Sequence, residues 1–117
     1  MWTGIEYHVA TLLIYEGLID EALTIVETVR ARQDGYRRSP WNEMECGFHY
    51  ARSLASWGLM VALSGAEYDA ATDTQRFAPR VSEDNFRCFY SNGRHWGVLT
   101  QTRGADGVVK QEVTVLG

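Results

Sequence analysis

Between Glu43 and Arg52 the sequence reads Glu-Met-Glu-Cys-Gly-Phe-His-Tyr-Ala-Arg, bringing carboxylates, a thiol, an imidazole, a phenol and a guanidinium into one short segment. From Ser53 to Ala66 no charged residue follows. Arg52 sits between Ala51 and Ser53 on a helix whose composition is that of a buried one, and a buried guanidinium needs a partner. If Glu43 folds back over the first turns of that helix, the two side chains face one pocket. A carboxylate, a guanidinium and flanking aromatic rings suit a sugar: hydroxyls bond to both charge types, and ring faces cover the apolar side of a pyranose. The same pair also fits a purely structural role, as an ion pair that fixes the preceding loop. Glu43 and Glu45 have an independent structural reading, because carboxylates just before a helix are favoured by its dipole.

Other chemistries fit the spacing less well. The two carboxylates of a retaining glycosidase flank the scissile bond from opposite sides, about 5–5.5 Å apart, and near neighbours on one loop do not straddle a ring. Cys46 and His49 resemble half of a metal site, yet no second pair of ligands has matching spacing, so no metal and no cofactor is expected. Cys46 as nucleophile with His49 as base lacks the third, orienting group.

The elements that must hold these residues follow from periodicity. Apolar residues Ile5, Val9, Ala10, Leu12, Leu13 and Ile14 predict a helix over about 4–16, ended by Gly17 in a left-handed cap. Asp20 is placed to cap a second helix with Ala22, Leu23, Val26 and Val29 on one face, which makes an antiparallel helical hairpin. Gly35, Ser39-Pro40 and Asn42 break the period, so about 32–46 reads as a long loop, ordered by Tyr36 and Trp41. A third helix is expected over about 47–64, with Gly65 as its stop. Beyond it the period falls to two: Phe86, Cys88 and Tyr90 alternate with Arg87, Asn92-Gly93 and Asp106-Gly107 mark turns, and Val109, Val113 and Val115 share a face. The fold class is α+β, divided into a helical part (1–64) and an antiparallel β segment (65–117).

The third helix offers only Ser, Ala, Leu, Trp, Gly, Met and Val around its circumference, the composition of a helix buried on all sides. One helical hairpin and a few strands cover part of it, which implies neighbours from a larger chain or a second copy of this one. Ala51, Ala55, Gly58 and Ala62 favour close helix contacts, and an ordinary tight core remains the alternative.

At 117 residues with a formal net charge of −4, the chain fits one globular core and lacks the basic face that nucleic acid demands. The run Arg30, Arg32, Arg37, Arg38 is interrupted by Asp34 and Gly35 and reads as a solvated loop. The longest uncharged run falls short of the ~20 residues of a membrane span, and "MWTGIEYHVATLLIY" has no signal-peptide pattern. Two cysteines, Cys46 and Cys88, are read as reduced thiols; localisation is unknown, with the cytoplasm favoured.

The segments "WTGIEY", "GYRRSPWNEMECGFHYARSLASW", "ALSGAEYDA" and "FAPRVSEDNFRCFYSNGRHWGV" together resemble the C-terminal end of glycoside hydrolase family 116, which includes non-lysosomal glucosylceramidases (bile-acid β-glucosidases) and bacterial β-glucosidases. The resemblance spans nearly the whole chain, and Pro-Trp-Asn-Glu, Glu-Cys-Gly and Tyr-Ala-Arg are its most specific part. It implies three helices from the end of an (α/α)6 catalytic toroid followed by the antiparallel β segment, in a retaining β-glycosidase acting on a β-glucoside-type sugar. In that picture Glu43 and Arg52 bind outer hydroxyls of the glucose, Trp2 lies at the edge of the subsite, and His49 and Tyr50 support them from behind. The family's nucleophile and acid/base carboxylates have no match here. Hydrolysis is expected to require the remainder of a longer chain, this chain alone being inactive.

Overall fold

The computed structural model describes residues 2–40 and 52–117. The chain is α+β: helices α1 (Thr3–Tyr15) and α2 (Ile19–Arg32), a 3-10 turn η1 (Arg52–Ser56) leading into α3 (Trp57–Ser64), then strands β1 (Glu67–Asp69), β2 (Thr74–Arg76), β3 (Asn85–Ser91), β4 (Trp96–Arg103) and β5 (Val109–Val115). It forms two compact units, Met1–Ala62 and Leu63–Gly117.

In the first unit α1 ends as its sequence predicts. Gly17 takes φ 82°, Leu18 N–H donates to Leu13 O at 2.8 Å and Gly17 N–H to Ile14 O at 3.1 Å, the paired bonds of a Schellman cap. That cap brings Leu18 directly to the start of α2, which begins at Ile19 with no side-chain cap. Asp20, expected as the cap, instead lies in the first turn, where its charge still suits the dipole.

The helices meet through a narrow face. Tyr7, Ala10 and Ile14 of α1 and Ala22 and Val29 of α2 are buried, while Leu23, expected on that face, is 40% exposed. Glu6 and Arg32 tie α1 to α2, with one guanidinium nitrogen 2.6 Å from both carboxylate oxygens. Arg32 thus belongs to a half-buried ion pair and not to a solvated basic loop. Beyond α2 the order comes from Asp34, whose Oδ1 accepts the N–H groups of Tyr36 (2.9 Å) and Arg37 (2.8 Å). The Arg37 N–H holds the Asp34 carboxyl below the usual aspartate range. Tyr36, expected to help order this loop, is 98% exposed and contributes no packing.

The described part of the third helix starts as a 3-10 turn and becomes α-helical only at Trp57. Its burial is one-sided. Ser53, Leu59, Ala62 and Ser64 are buried, whereas Leu54, Trp57 and Val61 remain exposed. Close approach is carried by a small residue, as expected: a Cβ on Gly58 would stand 3.0 Å from Thr11 Oγ1, which itself donates to Tyr7 O at 2.8 Å. A second apolar stripe, Ile5, Val9 and Leu12, runs exposed along α1.

Near the start of the second unit, Gly65 (φ 59°) stops α3. The last carbonyls of the helix are taken up by Ala78 N–H (to Ser64 O, 3.1 Å) and Arg80 N–H (to Leu63 O, 2.8 Å). A Cβ at Gly65 would collide with the Ala78 carbonyl, so glycine is required there for space as well as for φ. β1 and β2 form a short antiparallel hairpin, and β3, β4 and β5 an antiparallel meander in that spatial order. The alternation read from the sequence places Phe86 and Tyr90 of β3 inside with Leu99 of β4. Phe77 meets Tyr90 edge-on with ring centroids 5.2 Å apart. The β3–β4 turn is held by Asn92 Oδ1, which accepts from Arg94 N–H (3.0 Å) and His95 N–H (2.9 Å), with Gly93 at φ 83°. Cys88 is a free thiol whose pKa burial pushes up.

Candidate functional site

Two of the residues singled out in the sequence come together at the start of the first unit. Trp2 precedes α1 in extended conformation, and its carbonyl accepts the N–H groups of Ile5 (3.1 Å) and Glu6 (3.2 Å), which fixes the residue against the first helical turn. Arg52 opens η1. Its guanidinium carbon lies 5.3 Å from the centroid of the Trp2 ring. A cation at that distance is attracted by the ring quadrupole with about 0.5–1 kcal/mol at an exposed site and about 2 when desolvated. Arg52 is half-buried, between those limits, and Trp2 keeps half of its surface exposed (50%).

Gly4 is what lets the two approach. A Cβ there would stand 3.0 Å from Arg52 Cβ and 3.2 Å from Arg52 O, tighter than the roughly 3.5–4.0 Å of a relaxed carbon contact. The sequence reading passed over this residue. Its signal was present, a glycine in the first turn of an otherwise well-formed helix, where only a need for space or backbone freedom favours it. The Glu6–Arg32 ion pair, one turn further along α1, was also missed; it sets α2 against the turn that carries Trp2.

Arg52 differs from expectation in one respect. The sequence puts it on a fully buried helix; it lies instead in a 3-10 turn with its side chain partly accessible, against an aromatic ring. Chemically the pair sets a planar guanidinium beside an exposed indole, a combination that suits a neutral polyhydroxylated ligand or an acceptor oxygen. Glu43, His49 and Tyr50, together with Glu45 and Cys46, lie outside the described residues. Among the described residues no group of three or more His, Cys, Asp or Glu side chains could hold a metal ion, and no helix is long and apolar enough to cross a membrane.

No protein-family model matches the chain, and no curated protein matches it.

Proposed function

We propose that this chain is the C-terminal portion of a retaining β-glycosidase of the β-glucosidase/glucosylceramidase type, contributing one side of the glycone subsite. Its helices would come from an (α/α)6 toroid. Arg52 donates hydrogen bonds to sugar hydroxyls, Trp2 offers an aromatic edge, Glu43 accepts from the same hydroxyls, and His49 and Tyr50 hold them in place. The catalytic carboxylates belong to another part of the enzyme. The observation that carries this reading is the Arg52 guanidinium stacked 5.3 Å over Trp2, since it joins two residues chosen for one sugar site from opposite ends of the helical half.

The test is a titration of the chain with methyl β-glucoside, followed by the NMR signals of the Trp2 indole N–H and the Arg52 guanidinium, alongside an assay with an aryl β-glucoside. Both signals are expected to shift, the Trp2 shift vanishing in Arg52→Ala, with no turnover of the aryl glucoside. Unmoved signals would remove the sugar site; turnover abolished by Glu43→Gln would place the catalytic chemistry inside this chain.

A second reading is favoured by the exposed side chains of Ile5, Val9, Leu12, Leu54, Trp57 and Val61. In it the chain is a non-catalytic module that associates with its own copy, and Arg52 merely fastens η1 to α1. A stable dimer indifferent to sugar supports this alternative.

A further inference from the structure

The outer strand β5 is exposed along its whole length, and among the described residues nothing pairs with its free edge. Gly104 N–H donates to Val108 O and Leu116 N–H to Trp96 O, both at 2.9 Å. Together with the register that sets Thr102 against Lys110 and Thr100 against Glu112, these bonds mean that the even-numbered residues of β5 turn their backbone groups toward β4. Val109, Gln111, Val113 and Val115 therefore direct theirs outward. Their side chains lie on the face that Leu99 and Gln101 bury within β4, yet Val109 and Val113 are each 43% exposed and Val115 57%. The Gln111 side chain is held against β4, its Nε2 donating to Gln101 Oε1 at 2.7 Å and to Phe77 O at 3.3 Å.

We propose that this edge pairs antiparallel with β5 of a second copy of the chain about a two-fold axis at Gln111, joining the two meanders into one continuous sheet. Charge selects both the occupant and the register. With the axis at Gln111, Lys110 of each copy stands opposite Glu112 of the other, and Val109 opposite Val113. Gln111 with Gln111 and Val109 with Val113 are then the pairs that exchange backbone bonds, which is the phase the outward-directed groups require. An axis at Lys110 opposes two lysines, and an axis at Glu112 opposes two glutamates. An axis at Val113 sets Glu112 against Thr114 and forms no ion pair. A lone lysine on an exposed edge ordinarily discourages pairing; here, set against Glu112 of the other copy, it favours the one register in which both charges are paired. This pairing uses no residue of the proposed sugar site and does not depend on that reading.

The test is sedimentation of the full chain over a dilution series, with amide hydrogen exchange at high and low concentration. A monomer–dimer equilibrium is expected. In the dimer the amides of Val109, Gln111 and Val113 are protected and lose protection on dilution, while those of Lys110, Glu112 and Thr114 stay protected by β4 throughout. Lys110→Glu and Glu112→Lys each convert both cross-copy ion pairs into like-charge pairs and raise the dissociation constant about tenfold; the double exchange restores it. A chain monomeric at every concentration overturns the proposal. So does a dimer whose odd-numbered β5 amides exchange freely and whose affinity ignores both exchanges, since its contact then lies elsewhere, as on the exposed stripe of α1. The exchange measurement on the unaltered chain decides even if a variant fails to fold.

Discussion

Replacing Gly4 by alanine tests the contact that brings Arg52 over Trp2. Two effects oppose each other. Alanine is favoured over glycine in a helix by about 0.8–1.0 kcal/mol, and by less in the first turn, where Gly4 sits. Against this, the new methyl would press on Arg52 Cβ at 3.0 Å and Arg52 O at 3.2 Å. Those atoms belong to the backbone and its first branch, so relief requires moving η1 by about half an ångström, and overpacking of this kind costs about 1–3 kcal/mol. Overpacking wins by about 1 kcal/mol, roughly a fivefold fall in the folded-to-unfolded ratio. The Arg52 guanidinium also leaves its position over the indole. Urea unfolding followed by the helical circular dichroism signal gives the first quantity, and the ring-current shift of the Arg52 side-chain resonances gives the second. A Gly4→Ala chain more stable than the parent, with the Arg52 resonances unmoved, would refute the reasoning.

Other consequences are open to direct measurement. Arg32→Met removes the half-buried bond to Glu6 and is expected to destabilise the first unit by about 1 kcal/mol; an unchanged urea midpoint would mean the pair contributes nothing. Asp69, held below the usual aspartate range first by the Thr72 hydroxyl and then by the Ala71 N–H, stabilises the β1–β2 turn. Because its folded-state pKa is depressed, that contribution is complete above the unfolded aspartate's titration range and is lost as pH falls through the lower, folded value. An Asp69 carboxyl titrating by NMR at or above the ordinary range would contradict this. Cys88, its pKa raised by burial, is expected to alkylate more slowly at neutral pH than a free cysteine, and to match it in denaturant. Equal rates in the folded chain would show the thiol is not shielded.

The sequence disclosed most where one residue's backbone preference or a period of two decides the structure. Gly17 closes α1 because few other residues adopt its φ, and Phe86 and Tyr90 alternate inward because a pleated strand allows only two faces. Legibility failed where several outcomes share one composition. The uncharged run from Ser53 has no helical stripe, so nothing marked its opening as a 3-10 turn or showed which flank would stay bare. The start of α2 was misplaced because Asp20 suits both a cap and a first turn, and the Schellman bonds of α1 chose the latter. At the candidate site, Arg52 and Trp2 each carried a sequence signal, but their stacking depends on a contact between segments far apart along the chain, opened by the missing side chain of Gly4.

The central claim is that Arg52 and Trp2 form one sugar-binding surface. Its most direct test is a double-mutant cycle on methyl β-glucoside affinity with Arg52→Ala, Trp2→Ala and the pair. Loss of charged hydrogen bonds at Arg52 is predicted to weaken binding by about ten- to a hundredfold, with the two substitutions clearly non-additive because each removes the other's partner. Affinity untouched by Arg52→Ala, or effects that simply add, would contradict the account.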